Sequence, residues 1–346
     1  DQREAYLSKK RSEAQNTALD NPQDVSWNLN LLSKTHENML GYEKNNSTLA
    51  YSIKTGQELT PVPTTSIIMG DPEAIKALSK NIKTIHASNI LDGVTGSLNP
   101  LSTQQQTELK QFWGKAKPGD KLSLLTNIYK SSSGNANASR DMINSIAGEN
   151  GAYRLSASLN NRGLQDIAGQ IITGQDLIEK GLVKVDENSL RTHTESYLAG
   201  ITSPGKPDFQ IYLDSVKANY AYLVQKSEKV TDTKGSILNK TIDEDLFNKA
   251  ILSVTGGKYT TGGFFGSKSI VLRPHTVGEK SFREQLENFN SRNARNYGGS
   301  DKDFFIDLPL EQDPKNPYRY YFKNGTRYVM DNTDKKRQTR LTFTVR

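Results

Sequence analysis

Hydrophobic residues recur every three or four positions through most of the first 255 residues. The clearest segment begins at Asp71-Pro72, since aspartate caps a helix and proline fits its first position. Further segments of the same period are separated by turns that contain glycine or proline. They begin near Ser102, Lys117, Leu164, Pro207 and Thr241. This pattern predicts a mainly helical body over residues 1–257. Residues 1–60 are less clearly periodic, and they either pack on this body or form a separate helical arm.

Local signals refine two of these helices. Thr241 and Glu244 have the spacing of a capping box, in which a hydroxyl residue stands three positions before Gln or Glu, and Ser102 and Gln105 have it too. Another segment is interrupted by three glycines, namely Gly163, Gly169 and Gly174. Each costs a helix about 1 kcal/mol relative to alanine, and we therefore expect close packing against a second helix there.

The pattern changes after Gly257. Residues 269–274 (SIVLRP) predict a short strand closed by Pro274, whereas Phe282, Leu286 and Phe289 mark one helix. Alternating segments flank Asn324-Gly325, a preferred type I′ turn pair, and predict a hairpin. The predicted fold class is therefore mainly α, with an elongated helical body followed by a small basic α+β module over residues 258–346.

Positive charge concentrates in the same module. The chain carries a net charge of +7, and residues 258–346 contain 17 Lys and Arg against 10 Asp and Glu, whereas residues 1–257 contain 28 of each. The densest basic run lies near several tyrosines, Tyr318, Tyr320 and Tyr321. Cations beside aromatic rings are typical of surfaces that bind phosphate backbones or anionic glycans. The predicted anionic-partner site comprises Lys335, Lys336, Arg337, Arg340 and Arg327. A solvated turn between two strands is the alternative interpretation.

Several classes of function find no support in the residues. The chain has no cysteine, which excludes disulfides, thiolate metal sites and a cysteine nucleophile. Its four histidines are scattered singly, and the motifs of nucleotide-binding loops, dinucleotide folds, zinc proteases and serine hydrolases are missing. We therefore predict no metal and no cofactor. No run of 18 apolar residues is present, so no stable membrane span is expected.

A succession of short motifs carries a family resemblance. They are Leu19-Asp20-Asn21-Pro22, Leu59-Thr60-Pro61, Ile172-Thr173-Gly174-Gln175, residues 250–257 (AILSVTGG), residues 270–274 (IVLRP) and residues 282–286 (FREQL), followed by the strands around Asn324-Gly325. In this order, and over most of the chain, the sequence resembles the region that follows the catalytic domain in virion-associated lytic transglycosylases of tailed phages and prophages. Such proteins are also called internal virion or ejection proteins. The first residue is Asp1, and we expect a processed product or an excised region.

The resemblance implies a structural protein of the phage particle that acts at the host envelope after delivery. Its implied partners are other virion proteins and further copies of itself, with DNA or a cell-wall polymer as an additional contact. The enzymatic part of such proteins is a separate domain, marked by a catalytic Glu-Ser pair on a helix and a downstream Gly-Leu-Met-Gln segment. Here Glu195-Ser196 is the only Glu-Ser pair, and no such segment follows it.

We therefore expect a noncatalytic virion region that works in assembly and delivery. One alternative is a peptidoglycan-cleaving lytic transglycosylase or hydrolase, in which Glu195 would serve as the general acid. A second alternative is a nucleic-acid-binding module, which the basic last quarter of the chain favours.

Overall fold

The computed structural model describes residues 34, 46–91, 96–227, 237–239, 241–261, 269–298, 304–313, 316–332 and 339–346, with residues 237–239 described as backbone only. The fold is mainly helical, with a small mixed α and β region near the C-terminus, which confirms the predicted class. Two compact units are present, Asp1–Gly163 and Leu164–Arg346. None of the helices in the described ranges combines the length and apolar character that crossing a bilayer requires.

The first unit is built from helices joined by short turns. They are α1 (Ser47–Thr55), α2 (Thr64–Met69), α3 (Pro72–Leu91), α4 (Thr103–Lys115), α5 (Pro118–Ser131), α6 (Ala136–Ala147) and α7 (Gly151–Asn161). The predicted capping box of α4 is confirmed, since Ser102 and Gln105 each bond the other's backbone N–H. Trp113 of α4 meets Tyr153 of α7 edge to face at 4.9 Å in the buried interior.

The second unit begins with helices and short strands. They are α8 (Gln165–Glu179), β1 (Val183–Val185), α9 (Glu187–Leu198), α10 (Pro207–Lys226), β2 (Ile237–Asn239) and α11 (Glu244–Thr255). Strands β1 and β2 pair in parallel. The predicted capping pair of α11 is wrong, because Asp243 rather than Thr241 caps this helix through a hydrogen bond from the Leu246 N–H. The helix ends at Gly256 in the left-handed conformation, as the Gly-Gly pair predicts.

Strands dominate the rest of the second unit. They are β3 (Lys258–Thr261), β4 (Ser269–Leu272), β5 (Leu310–Asp313), β6 (Asn316–Asn324), β7 (Arg327–Tyr328) and β8 (Thr342–Thr344), with α12 (Glu279–Asn293) between β4 and β5. Strand β3 pairs with β4, and β6 pairs with β5, β7 and β8, all antiparallel. A change from helix to strand at Gly257 is therefore confirmed, although the compact units themselves divide after Gly163. Whether residues 258–346 form a separate domain stays a prediction.

An aromatic core holds these strands and α12 together. Phe282 of α12 packs edge to face on Tyr320 of β6 and on Phe343 of β8, at 5.2 Å and 5.6 Å between ring centroids. All residues of this core cluster lie between Tyr259 and Val345. Residues 258–346 thus form an apolar core of their own. The strands that pack on this core on one face present their other face away from it.

The hairpin between β6 and β7 is confirmed, but its turn is shifted by one residue. Asn324 pairs with Arg327, so the two loop residues are Gly325 and Thr326. Only Gly325 has a positive φ, at +60°. This is the pattern of a type II′ turn rather than the predicted type I′ turn.

Candidate anionic-partner interface

The central strand β6 separates an apolar face of the sheet from a charged one. Tyr320 and Phe322 are fully buried in the aromatic core. Because side chains alternate along a strand, Arg319, Tyr321 and Lys323 project from the other face. We call this second face the charged face.

One end of the charged face is organised around a buried carboxylate. Asp313 of β5 is only 4% exposed, and its Oδ2 accepts hydrogen bonds from Arg319 Nε at 2.6 Å and from Tyr321 Oη at 2.8 Å. The hydrogen bond to Asp313 raises the pKa of both Arg319 and Tyr321. The positive charge of Arg319 is therefore compensated within the protein.

A second carboxylate organises the other end. Glu311 Oε1 accepts a hydrogen bond from Tyr328 Oη at 2.7 Å, and Glu311 Oε2 forms an ion pair with Lys323. Burial by itself would raise the pKa of Glu311, but hydrogen bonds from Lys323 and Tyr328 outweigh it and lower the pKa. The charge of Lys323 is thus compensated too, and the ring of Tyr328 is held in one orientation.

Arg340 adds a further positive charge to this face, which Glu311 attracts electrostatically without forming an ion pair with it among the described residues. Its guanidinium lies 3.8 Å from the ring centroid of Tyr328 and 5.5 Å from that of Tyr321. The residue is exposed, and within the described ranges no carboxylate lies in ion-pairing distance of it. Stacking on a tyrosine holds the planar guanidinium in place while its N–H groups stay available for a bidentate phosphate or carboxylate.

Backbone hydrogen bonds fix the position of Arg340. Leu341 N donates to Val329 O at 2.8 Å, and Met330 and Arg340 form an antiparallel bridge. Asp331 N donates to Thr339 O at 2.7 Å, which closes the base of the connection that contains residues 332–338. The predicted basic run, Lys335 to Arg337, ends three residues before Arg340 in the sequence.

The predicted site residues have different outcomes. Arg340 lies on the charged face, and Arg327 is exposed at the end of β7 opposite Asn324. The other three, Lys335, Lys336 and Arg337, lie outside the described residues. Tyr320 does not contribute to the surface, because it is buried and its hydroxyl donates to Leu272 O at 2.7 Å.

Sequence reasoning missed the two carboxylates of this face, Asp313 and Glu311. Both belong to β5, which no sequence pattern indicated. The sequence did contain one usable pattern, namely the alternation of side chains along β6. Because a strand that buries every second residue presents the others on its opposite face, Arg319, Tyr321 and Lys323 had to lie together.

The candidate acid of the enzymatic alternative lies on α9. Glu195 is half-buried, and within the described ranges its carboxylate has no hydrogen-bond or ion-pair partner. Neighbouring His193 is hydrogen-bonded elsewhere, to Ser189 O and Glu244 Oε1. Among the described residues no group of three histidine or acidic side chains is arranged to hold a metal ion. Comparison with known proteins finds no matching family model, no matching curated protein and no matching solved structure.

Proposed function

We propose that this chain is a noncatalytic structural region of a phage or prophage virion protein. It acts in particle assembly and in delivery of the virion contents to the host envelope, in contact with other virion proteins and with copies of itself. The succession of motifs between Leu19 and Gly325 supports this assignment. Its working contact with an anionic polymer, for which DNA in the particle is the first candidate, is made by the charged face of the sheet.

The observation that carries the contact is the stacked guanidinium of Arg340. Two of the four cations described on or beside this face are compensated by carboxylates, Arg319 by Asp313 and Lys323 by Glu311. Arg340 and Arg327 are exposed and form no ion pair with a described residue. An arginine that stacks on an aromatic ring and has no ion-pair partner among the described residues suits a phosphate group, because its donors need no reorganisation before binding.

Retention of double-stranded DNA by the purified chain tests this contact. We expect binding at low salt that weakens steeply as salt rises, because cations that neutralise phosphates release counterions. Arg340→Gln should weaken binding at low salt and reduce the slope of log K against log salt by about one. Arg283→Gln is the control, because it removes the same charge away from the charged face. Arg283 is exposed on α12, and its neighbour Phe282 packs on the apolar face of the sheet.

The control variant should bind as the unmodified chain does. Equal loss in both variants would mean that only net charge matters, and the charged face would then not be the contact. Binding that ignores salt, or no binding at low salt, would also contradict the proposal.

A further inference from the structure

The first unit contains an open groove that the proposed function does not use. Its volume is about 830 Å³, which lies within the range of ligand-binding pockets. One end of α1, the extended segment 58–63, the start of α2 and the start of α4 form its walls, with Leu78 and Asn81 of α3 between them.

The extended segment is held in place by side chains of two helices. Asn81 Oδ1 accepts from Thr60 N at 3.1 Å, and Asn81 Nδ2 donates to Thr60 O at 2.9 Å. Gln105 Nε2 donates to Val62 O at 2.6 Å. Pro61 and Pro63 further restrict the backbone of this segment. The wall is therefore preformed, which lowers the entropic cost of binding.

The described lining of the groove is negatively charged. Among the described residues that line it, Glu58 and Glu108 are the only charged ones. Glu108 accepts hydrogen bonds from two neutral donors, Thr64 Oγ1 at 2.5 Å and Gln104 Nε2 at 2.9 Å. These bonds lower the pKa of Glu108, so the carboxylate is ionised at neutral pH. In the described part of the chain, neither carboxylate has a lysine or arginine within ion-pairing distance.

Apolar side chains complete the lining. Leu49 of α1 is 38% exposed, and Leu59 is half-buried beside the exposed ring of Pro61. An open trench that follows an extended segment matches an extended chain better than a compact molecule. The two carboxylates of the groove favour a ligand that carries a positive charge, and the apolar side chains of its walls favour a ligand that also has apolar side chains.

We propose that this groove binds an extended peptide segment of a partner protein that presents a lysine or arginine to Glu58 and Glu108. Apolar residues of that segment pack on Leu49, Leu59 and Pro61. The site belongs to the first unit and does not rest on the function proposed for the charged face.

Two blocked hexapeptides serve as probes, one of alternating leucine and lysine and one of alternating leucine and glutamate. Fluorescence polarisation with the full chain should show binding of the lysine peptide and at least tenfold weaker binding of the glutamate peptide. Glu108→Gln should weaken binding of the lysine peptide by about tenfold, since a charge-assisted contact becomes a neutral one. Glutamine can still accept the hydrogen bond from Thr64, so the groove should persist.

Glu73→Gln is the matched control, because Glu73 lies at the exposed start of α3, outside the groove lining. It should leave the affinity unchanged. Equal affinity for the unmodified chain and the Glu108→Gln variant would overturn the proposal, as would failure of the lysine peptide to bind.

A photo-crosslinking residue at position 49 gives a readout that does not depend on Glu108. The full chain with this residue should crosslink to the lysine peptide, and the crosslink should diminish in the Glu108→Gln variant. A crosslink to another part of the same chain, with no crosslink to the peptide, would show that the groove is occupied internally and would also overturn the proposal.

Discussion

At the scale of single residues, His193 is the clearest case of a protonation state set by its surroundings. Its Nδ1 lies 2.7 Å from Ser189 O, and its Nε2 lies 2.7 Å from Glu244 Oε1. Both neighbours are acceptors, and an imidazole donates from both nitrogens only when it is protonated. The Ser189 carbonyl raises the pKa of His193 and, together with Glu244, outweighs the opposing effect of burial.

This arrangement predicts a pH dependence of stability. Because the folded-state pKa of His193 is raised, its contribution is fully present below the unfolded-state pKa and is lost as pH rises through the folded-state pKa. His193 links α9 to α11, so we expect the free energy of unfolding to fall between about pH 6 and pH 8. Urea titrations over this range should show the fall in the unmodified chain and a smaller one in His193→Gln.

His86→Gln provides the control, since His86 is exposed on α3 and should leave the pH profile unchanged. A His193→Gln variant with the profile of the unmodified chain would show that the ring does not link the two helices in the way described.

At the scale of elements, the contact between α8 and α10 depends on a single glycine. A Cβ on Gly174 would lie 1.7 Å from the backbone oxygen of Ala218, so the two helices approach too closely for any side chain at this position. The close helix packing expected from the glycines of this segment is therefore confirmed at Gly174. Gly169 faces open space, and Gly163 instead has a positive φ of +83° before α8.

Alanine substitutions at these glycines should have opposite effects. Gly174→Ala forces the helices apart and should reduce the free energy of unfolding by about 1–3 kcal/mol, as overpacking does. Gly169→Ala meets no neighbouring atom and should raise it by up to about 1 kcal/mol through helix propensity. Thermal or urea unfolding measures both. Similar losses in the two variants would contradict the close approach at Gly174.

Element starts and ends show where local sequence rules suffice. The Ser102 capping box and the Gly256 helix end follow from residue type and spacing alone. The start of α11 does not, because Thr241 satisfies the same spacing, yet Asp243 stands next to the first turn and caps it. The turn after β6 likewise depends on strand register, which an Asn-Gly pair does not determine by itself.

At the scale of the whole molecule, the fold class could be predicted but the sites only in part. Helical and strand periods are local, so the mainly helical class and the strands after Gly257 follow from the sequence. Compensation of Arg319 and Lys323 depends on which strand lies beside β6. The number of Lys and Arg in residues 258–346 therefore overstates how many cations the sheet offers to a partner. The groove joins residues between Asn46 and Glu108, which no short pattern relates.

At the scale of the whole molecule, the charged groups that the structure describes suit binding better than catalysis. Arg340 and the groove carboxylates offer fixed charges for partners, whereas glycan cleavage needs a carboxyl group held in an apolar wall with its proton retained. Glu195 on α9 is half-buried and has no described polar partner. We propose that this chain works by binding rather than by cleaving the cell wall.

Zymography on a gel that contains peptidoglycan tests this claim most directly, with a known lytic enzyme in a parallel lane. We expect no clearing by the unmodified chain, by Glu195→Gln or by Glu284→Gln, a control at an exposed glutamate of α12. Reproducible clearing that Glu195→Gln abolishes and Glu284→Gln retains would contradict the account and assign Glu195 the role of general acid.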